Sequence, residues 1–144
     1  GSAGAFVAGD ARIVELVLQR ARSYIFATAA PAMVTEALRA TLRIIEADDW
    51  RRDRLSAHVT LLHDALADRP QLGRLLPSIT PIQPLVIGDN AAALARMADL
   101  WALGLWVPAI RPPTVPAGTA RLRISLSAAH SEADVQRLIA ALSR

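Results

Sequence analysis

The sequence predicts an α/β protein. Between Ala120 and Ser127 apolar and polar residues alternate strictly, with Leu122, Ile124 and Leu126 on one side and Arg121, Arg123, Ser125 and Ser127 on the other. That is the period of a half-buried strand. From Pro31 to Asp48, and again beyond Trp50, apolar residues recur instead at helical spacing. From residue 50 the predicted order is α-β-α-β-β-α, three strands with helices on one face, a two-layer arrangement.

Composition bounds the function classes. The chain has 144 residues, 53% of them apolar, enough to bury a real core in one domain. No apolar run reaches membrane-spanning length, and Gly1 to Gly9 lacks the basic start and long apolar stretch of a signal peptide. With no cysteine there is no disulfide framework, thiolate nucleophile or thiolate metal site. A cytoplasmic location is the expectation. The sequence pI of about 10.9 overstates the basic character, because net charge is only +3. All 16 basic residues are arginines, which do not titrate until ~12 or above. They are interleaved with acids from Arg12 to Arg144, without the stripe or reading helix of a nucleic-acid binder.

Taken in order, Ala5 to Ala8 reads as a short buried strand ending at Gly9. Asp10 is a good N-cap for a helix bearing Ile13, Leu16 and Val17. Tyr24 to Pro31 reads as extended or loop, with Pro31 suited to the first turn of the next helix. That helix carries Val34, Ala37, Leu38, Thr41, Leu42 and Ile45 and ends at Asp48-Asp49. The following helix places Leu55, Val59, Leu62 and Leu66 on one face and Arg51, Arg52 and Arg54 on a solvated one. His58 and His63 lie five apart on it, off a common stripe, so no metal pair is expected. Pro70 ends this helix and a loop runs from Leu72 to Thr80. Ile82 to Ile87 reads as a strand in which Pro84 marks a sheet edge or an unusual start. Gly88-Asp89-Asn90 turns into a helix with Leu94, Met97, Ala98 and Trp101 as its core stripe, closed by Gly104 as a left-handed cap. Near the end, Ser131 and Asp134 resemble a capping box for a last helix that buries Val135, Leu138, Ile139 and Leu142. His130, just before it, reads as structural.

The most informative run is Trp106 to His130. Val107 to Ile110 is a short strand, and three prolines between Arg111 and Pro116 stop it by fixing φ and removing donors. Ala117-Gly118 turns into the alternating strand. Its polar face sets two guanidiniums roughly 7 Å apart, two residues along at ~3.3–3.4 Å each. Such a face is either a solvated side of an edge hairpin or an anion site.

The same residues carry a resemblance. AIRPPTVPAGTARLRISLSAAH is similar to the C-terminal signature of the α-oxoamine synthases, pyridoxal-phosphate enzymes, and within them to the biotin-synthesis branch. Gly1 to Val7, Phe26 to Pro31 and Ile82 to Asn90 extend the likeness over the whole chain. The resemblance implies the C-terminal part of a PLP-dependent transferase fold, beginning just after the cofactor lysine. Residues 1–30 would then end the large cofactor-binding domain, 31–49 form an interdomain helix, and 50–144 make the small domain. It further implies condensation of L-alanine with a pimeloyl thioester, on coenzyme A or a carrier protein, with decarboxylation to 8-amino-7-oxononanoate, by a homodimer.

Within that family, Arg123 matches the arginine that binds the substrate carboxylate and Thr114 a substrate-contacting threonine. Thr28 matches a threonine reaching the cofactor phosphate of the neighbouring subunit, though Ala27 and Ala29 stand where hydroxyls are often found. The helix-capping role for Thr28 is the alternative. No residue of the chain is a lysine, so the chain alone holds no catalytic residue for the aldimine and is expected to be inactive. A non-catalytic fragment or interaction module with the small-domain fold is the alternative reading.

Overall fold

The computed structural model describes residues 5–144. Gly1-Ser2-Ala3-Gly4, which carries part of the resemblance, lies outside the described residues. The chain divides after Asp48 into two compact units, 1–48 and 49–144.

The first unit is helical among its described residues. Helix α1 (Ala11–Arg20) starts at Asp10, whose carboxylate accepts from the Arg12 N–H as predicted. The Arg12 guanidinium on the same carboxylate holds Asp10 below the usual carboxylate range. A single turn, α2 (Arg22–Ile25), leads by a short connection to α3 (Ala32–Ala47), for which Pro31 is the N-cap. The strand expected at Ala5 to Ala8 does not form, and those residues are exposed without regular structure. A lone strand needs a partner ladder for its backbone polar groups, and none lies beside it among the described residues. The Tyr24–Pro31 segment, expected to be extended or loop, opens on the turn of α2 and is without regular structure beyond it.

The second unit holds the core. It contains α4 (Asp49–Leu66), a 3-10 turn (Pro70–Leu72), β1 (Arg74–Leu75), β2 (Ile82–Gly88), α5 (Asn90–Ala102), β3 (Ala109–Ile110), β4 (Ala120–Ser125) and α6 (Glu132–Leu142). The sheet is antiparallel throughout, in the order β1-β2-β4-β3. It therefore has four strands where the sequence suggested three. A two-residue strand such as β1 is too short to show a period. The predicted α/β layering stands. Leu85 of β2, Leu122 and Ile124 of β4, Leu62 of α4, Leu100 of α5 and Leu142 of α6 close one core with almost no exposure. The residues of β4 that alternate with the core set, Arg121, Arg123 and Ser125, point away from it.

Two expectations are corrected here. Pro84 sits on β2, which lies between β1 and β4 rather than at an edge. Its nitrogen faces Leu76, just past the end of β1, and its carbonyl accepts from the Leu76 N–H at 2.9 Å. The return bond that an N–H would make is the one ladder bond given up, and the pairing of β1 with β2 stops there. On α5 Ala93 and Leu100 are buried with Met97 partly buried against the core, and Trp101 is 61% exposed. In an alanine-rich helix two neighbouring stripes satisfy the same period, and packing selects between them.

Histidine and glutamine tie the layers together. His58, buried on α4, donates from Nε2 to the His130 carbonyl, and Arg54 donates to the Ala128 carbonyl. The Ser127 N–H donates to Nδ1 of His130. Gln83 is fully buried: its amide nitrogen donates to the carbonyls of Ser78 and Thr80, and its oxygen accepts from His63 Nε2 at 2.8 Å. Buried polar groups need such partners. Ser131 and Asp134 form the predicted capping box, which holds the Asp134 carboxyl below its ordinary range through the Ser131 hydroxyl and N–H.

Candidate functional site

The β3–β4 hairpin builds the site. Arg111-Pro112-Pro113-Thr114 turns sharply, with the Thr114 N–H donating to the Arg111 carbonyl at 3.0 Å. Gly118, at φ 75°, supplies the second bend. β4 then returns beside Pro108, whose carbonyl accepts from the Arg123 N–H at 2.9 Å. With Leu122 and Ile124 locked in the core on either side, the Cα of Arg123 is held by a rigid element while its side chain is exposed.

The two strand arginines differ in their surroundings. Arg121 folds back on its own turn, donating to the Thr119 carbonyl at 3.0 Å and to the Thr119 hydroxyl at 3.1 Å. Among the described residues it pairs with no carboxylate. Arg123 has no side-chain hydrogen bond or ion pair among the described residues, and it borders a cleft of about 590 Å³. Trp106, Pro108, Ser125, His130 and Arg137 line the same cleft. An exposed guanidinium with its planar fork free is suited to bidentate binding of a carboxylate. Thr114 is exposed in the proline loop, and the cleft does not include it. Thr28 lies in the first unit, exposed beyond α2; it caps neither α2 nor α3.

Sequence reasoning did not single out Trp106, which lines the cleft. It is 66% exposed and meets Trp101 edge to face, with ring centroids 5.0 Å apart. The signal was its place directly before the short strand, outside any helical stripe. Among the described residues no group of three His, Asp or Glu side chains could hold a metal ion. No helix there is long and apolar enough to cross a membrane.

The family model of aminotransferases class I and II matches residues 1–142. The chain belongs to that family. It is 59% identical over 145 residues to 8-amino-7-oxononanoate synthase 1 of Polaromonas sp., covering 99% of this chain and 36% of that protein. A solved structure of SPT, serine palmitoyltransferase, with a PLP internal aldimine superposes with TM-score 0.83 at 29% identity, over 94% of this chain and 34% of that one. The 8-amino-7-oxononanoate synthase of Francisella tularensis gives TM-score 0.77 at 27% identity, over 92% and 38%. The chain thus spans little more than a third of the length of the relatives it matches. These likenesses bear out the resemblance read from the RPPTVPAGTARLR run, and the α/β fold with it.

Proposed function

We propose that this chain serves as the C-terminal part of an enzyme condensing L-alanine with a pimeloyl thioester, with loss of carbon dioxide, to give 8-amino-7-oxononanoate. The names of its curated relatives support the reading. The observation that carries it is the unpartnered guanidinium of Arg123, fixed on β4 and facing a cleft.

In this reading residues 1–30 end the larger domain, 31–49 link the domains and 50–144 form the small domain. Arg123 holds the carboxylate of L-alanine while the bonds at its Cα are remade. Thr114 contacts substrate from the proline loop. The enzyme is a homodimer acting in the cytoplasm.

The SPT relative carries pyridoxal phosphate as an internal aldimine, which requires the primary amine of a side chain. None of the 144 residues is a lysine, and a guanidinium stays protonated and cannot substitute. The residues present therefore do not hold that group covalently. The seat for pyridoxal phosphate belongs to a lysine-bearing part of the enzyme, and this chain alone is inactive. Its own contribution toward the cofactor is the exposed hydroxyl of Thr28, offered to the phosphate held by the neighbouring subunit.

The test is Arg123 in the intact enzyme. A charge-assisted hydrogen bond is worth ~1.5–3 kcal/mol and a fork makes two. Arg123→Ala should therefore lower alanine-dependent kcat/KM roughly 10- to 100-fold or more. Arg123→Lys should recover little, because an ammonium lacks the planar fork. Arg121→Ala should cost far less turnover, since its guanidinium serves its own turn. A folded Arg123→Ala enzyme that binds L-alanine like the parent ends the assignment.

A further inference from the structure

We propose that the groove between α4 and the start of α6 binds a linear aliphatic polyamine. Its ammonium groups pair with the carboxylates of Asp53, Asp64 and Glu132, and one of them donates to Nδ1 of His58. The inference goes beyond the proposed condensation and does not depend on it.

Helical spacing builds the groove, whose volume is about 890 Å³. Asp53, Ala57, Thr60 and Asp64 recur at i, i+4, i+7 and i+11 of α4 and form one exposed row. Arg54, His58 and Leu61 form the adjoining row, and Ser131 and Glu132 at the entry to α6 complete the lining. Although the chain as a whole carries a net charge of +3, three carboxylates here face a single guanidinium. That guanidinium, of Arg54, is already engaged: it donates to the Ala128 carbonyl at 3.2 Å and lies 4.8 Å from the centre of the Trp50 ring. Among the described residues Asp53 and Asp64 make no hydrogen bond or ion pair. The Glu132 carboxylate accepts only from the Gln136 amide there.

Acids along a helix are ordinarily a solvated face, and His58 is what sets this one apart. The residue is only 4% exposed, and its Nε2 donates to the His130 carbonyl at 3.0 Å. In the neutral ring Nδ1 is then an acceptor, and it has no partner among the described residues. No fully buried side-chain nitrogen or oxygen there goes unsatisfied. The lone pair of Nδ1 therefore opens to the groove that His58 lines. These acceptors call for cationic donors, and they do not converge: among the described residues no three His, Asp or Glu groups could hold one metal ion. Along α4, His58 stands about 7.5 Å beyond Asp53 and about 9 Å short of Asp64, at ~1.5 Å per residue. A ligand with several ammonium groups strung on an apolar chain matches that spread. Ala57 and Leu61 offer methyl groups to its methylenes.

Equilibrium dialysis of the full 144-residue chain against labelled spermidine should show a single saturable site. Putrescine, too short to reach both Asp53 and Asp64, should bind more weakly. Asp53→Asn and Asp64→Asn should each weaken spermidine about two- to fivefold, the range of one exposed ion pair. Asp99→Asn, which alters an exposed acid on α5 outside the groove, should change nothing. His58→Gln keeps an amide nitrogen in the place of Nε2 and has no counterpart of Nδ1. It should weaken binding roughly tenfold, with folding checked from the urea midpoint. If that variant unfolds, the two aspartate variants decide alone. Absence of saturable uptake in the millimolar range overturns the proposal, as does a loss for Asp99→Asn equal to the losses for Asp53→Asn and Asp64→Asn. Full displacement of spermidine by magnesium ion at equal ionic strength overturns it too, because only a diffuse counterion cloud exchanges in that way.

Discussion

Gln83 illustrates what one side chain can organise. It is fully buried in a core of leucines, and it has three partners: the carbonyls of Ser78 and Thr80 and the ring of His63. The loop between β1 and β2 is thereby stitched to both the sheet and α4. Removing the carboxamide leaves carbonyls without a donor and a cavity beside them. Gln83→Ala should destabilise the chain by about 2–4 kcal/mol, read from the urea midpoint. Amide exchange should accelerate between residues 76 and 81 before it does so in α5 or α6. Equal acceleration everywhere would show that the residue supports only the global core. At the same scale, the contrast of Arg121 with Arg123 is set by neighbours: strand alternation puts both on one face, and the nearness of Thr119 ties up Arg121.

At the scale of elements, β1 depends on the glycine before it. Gly73 sits at φ 127°, and a Cβ there would lie 2.7 Å from the Val86 carbonyl of the neighbouring strand. Neither the dihedral nor the contact can relax without moving β1 away from β2. Gly73→Ala should therefore cost about 1–3 kcal/mol, the range for strained backbone. Gly9→Ala, where nothing lies within 4 Å, should leave the urea midpoint nearly unchanged. A midpoint for Gly73→Ala equal to that of Gly9→Ala refutes the close approach. The capping box that begins α6 is an element-scale feature of the opposite kind, legible in Ser131 and Asp134 three apart, because capping is local chemistry.

At the scale of the molecule, the two units differ in kind. The second has a closed core, while no described residue of the first is buried. Phe6, Phe26 and Met33 are 90%, 76% and 78% exposed, with Ile13, Leu16 and Ile25 also at the surface. A patch of this composition is a contact surface or an aggregation liability. The chain on its own should self-associate and bind a hydrophobic dye, and changing Ile25 and Phe26 to Ser should reduce both without lowering the stability of residues 49–144. A monomer that ignores the dye by sedimentation and fluorescence would falsify this expectation.

Much of this protein is determined by its sequence alone. The period of Leu122, Ile124 and Leu126, the caps at Asp10 and Ser131, and the turn at Gly104 all act within a few residues, so their physics is legible in the order of side chains. Alternation likewise sets Arg121 and Arg123 away from the core whatever packs against it, while the choice of Arg123 as candidate clamp rests on the resemblance. The remaining features came only from tertiary structure. The short strand β1 exists because β2 offers it a ladder, and that ladder stops where Pro84, without an N–H, faces Leu76. Trp101 is turned outward because Ala93, Met97 and Leu100 pack better against the sheet. Ala5 to Ala8 has a strand's composition and stays unpaired, since no neighbour beside it completes the hydrogen bonds. Each of these outcomes was decided by contacts between residues distant in the chain, which local periodicity does not encode.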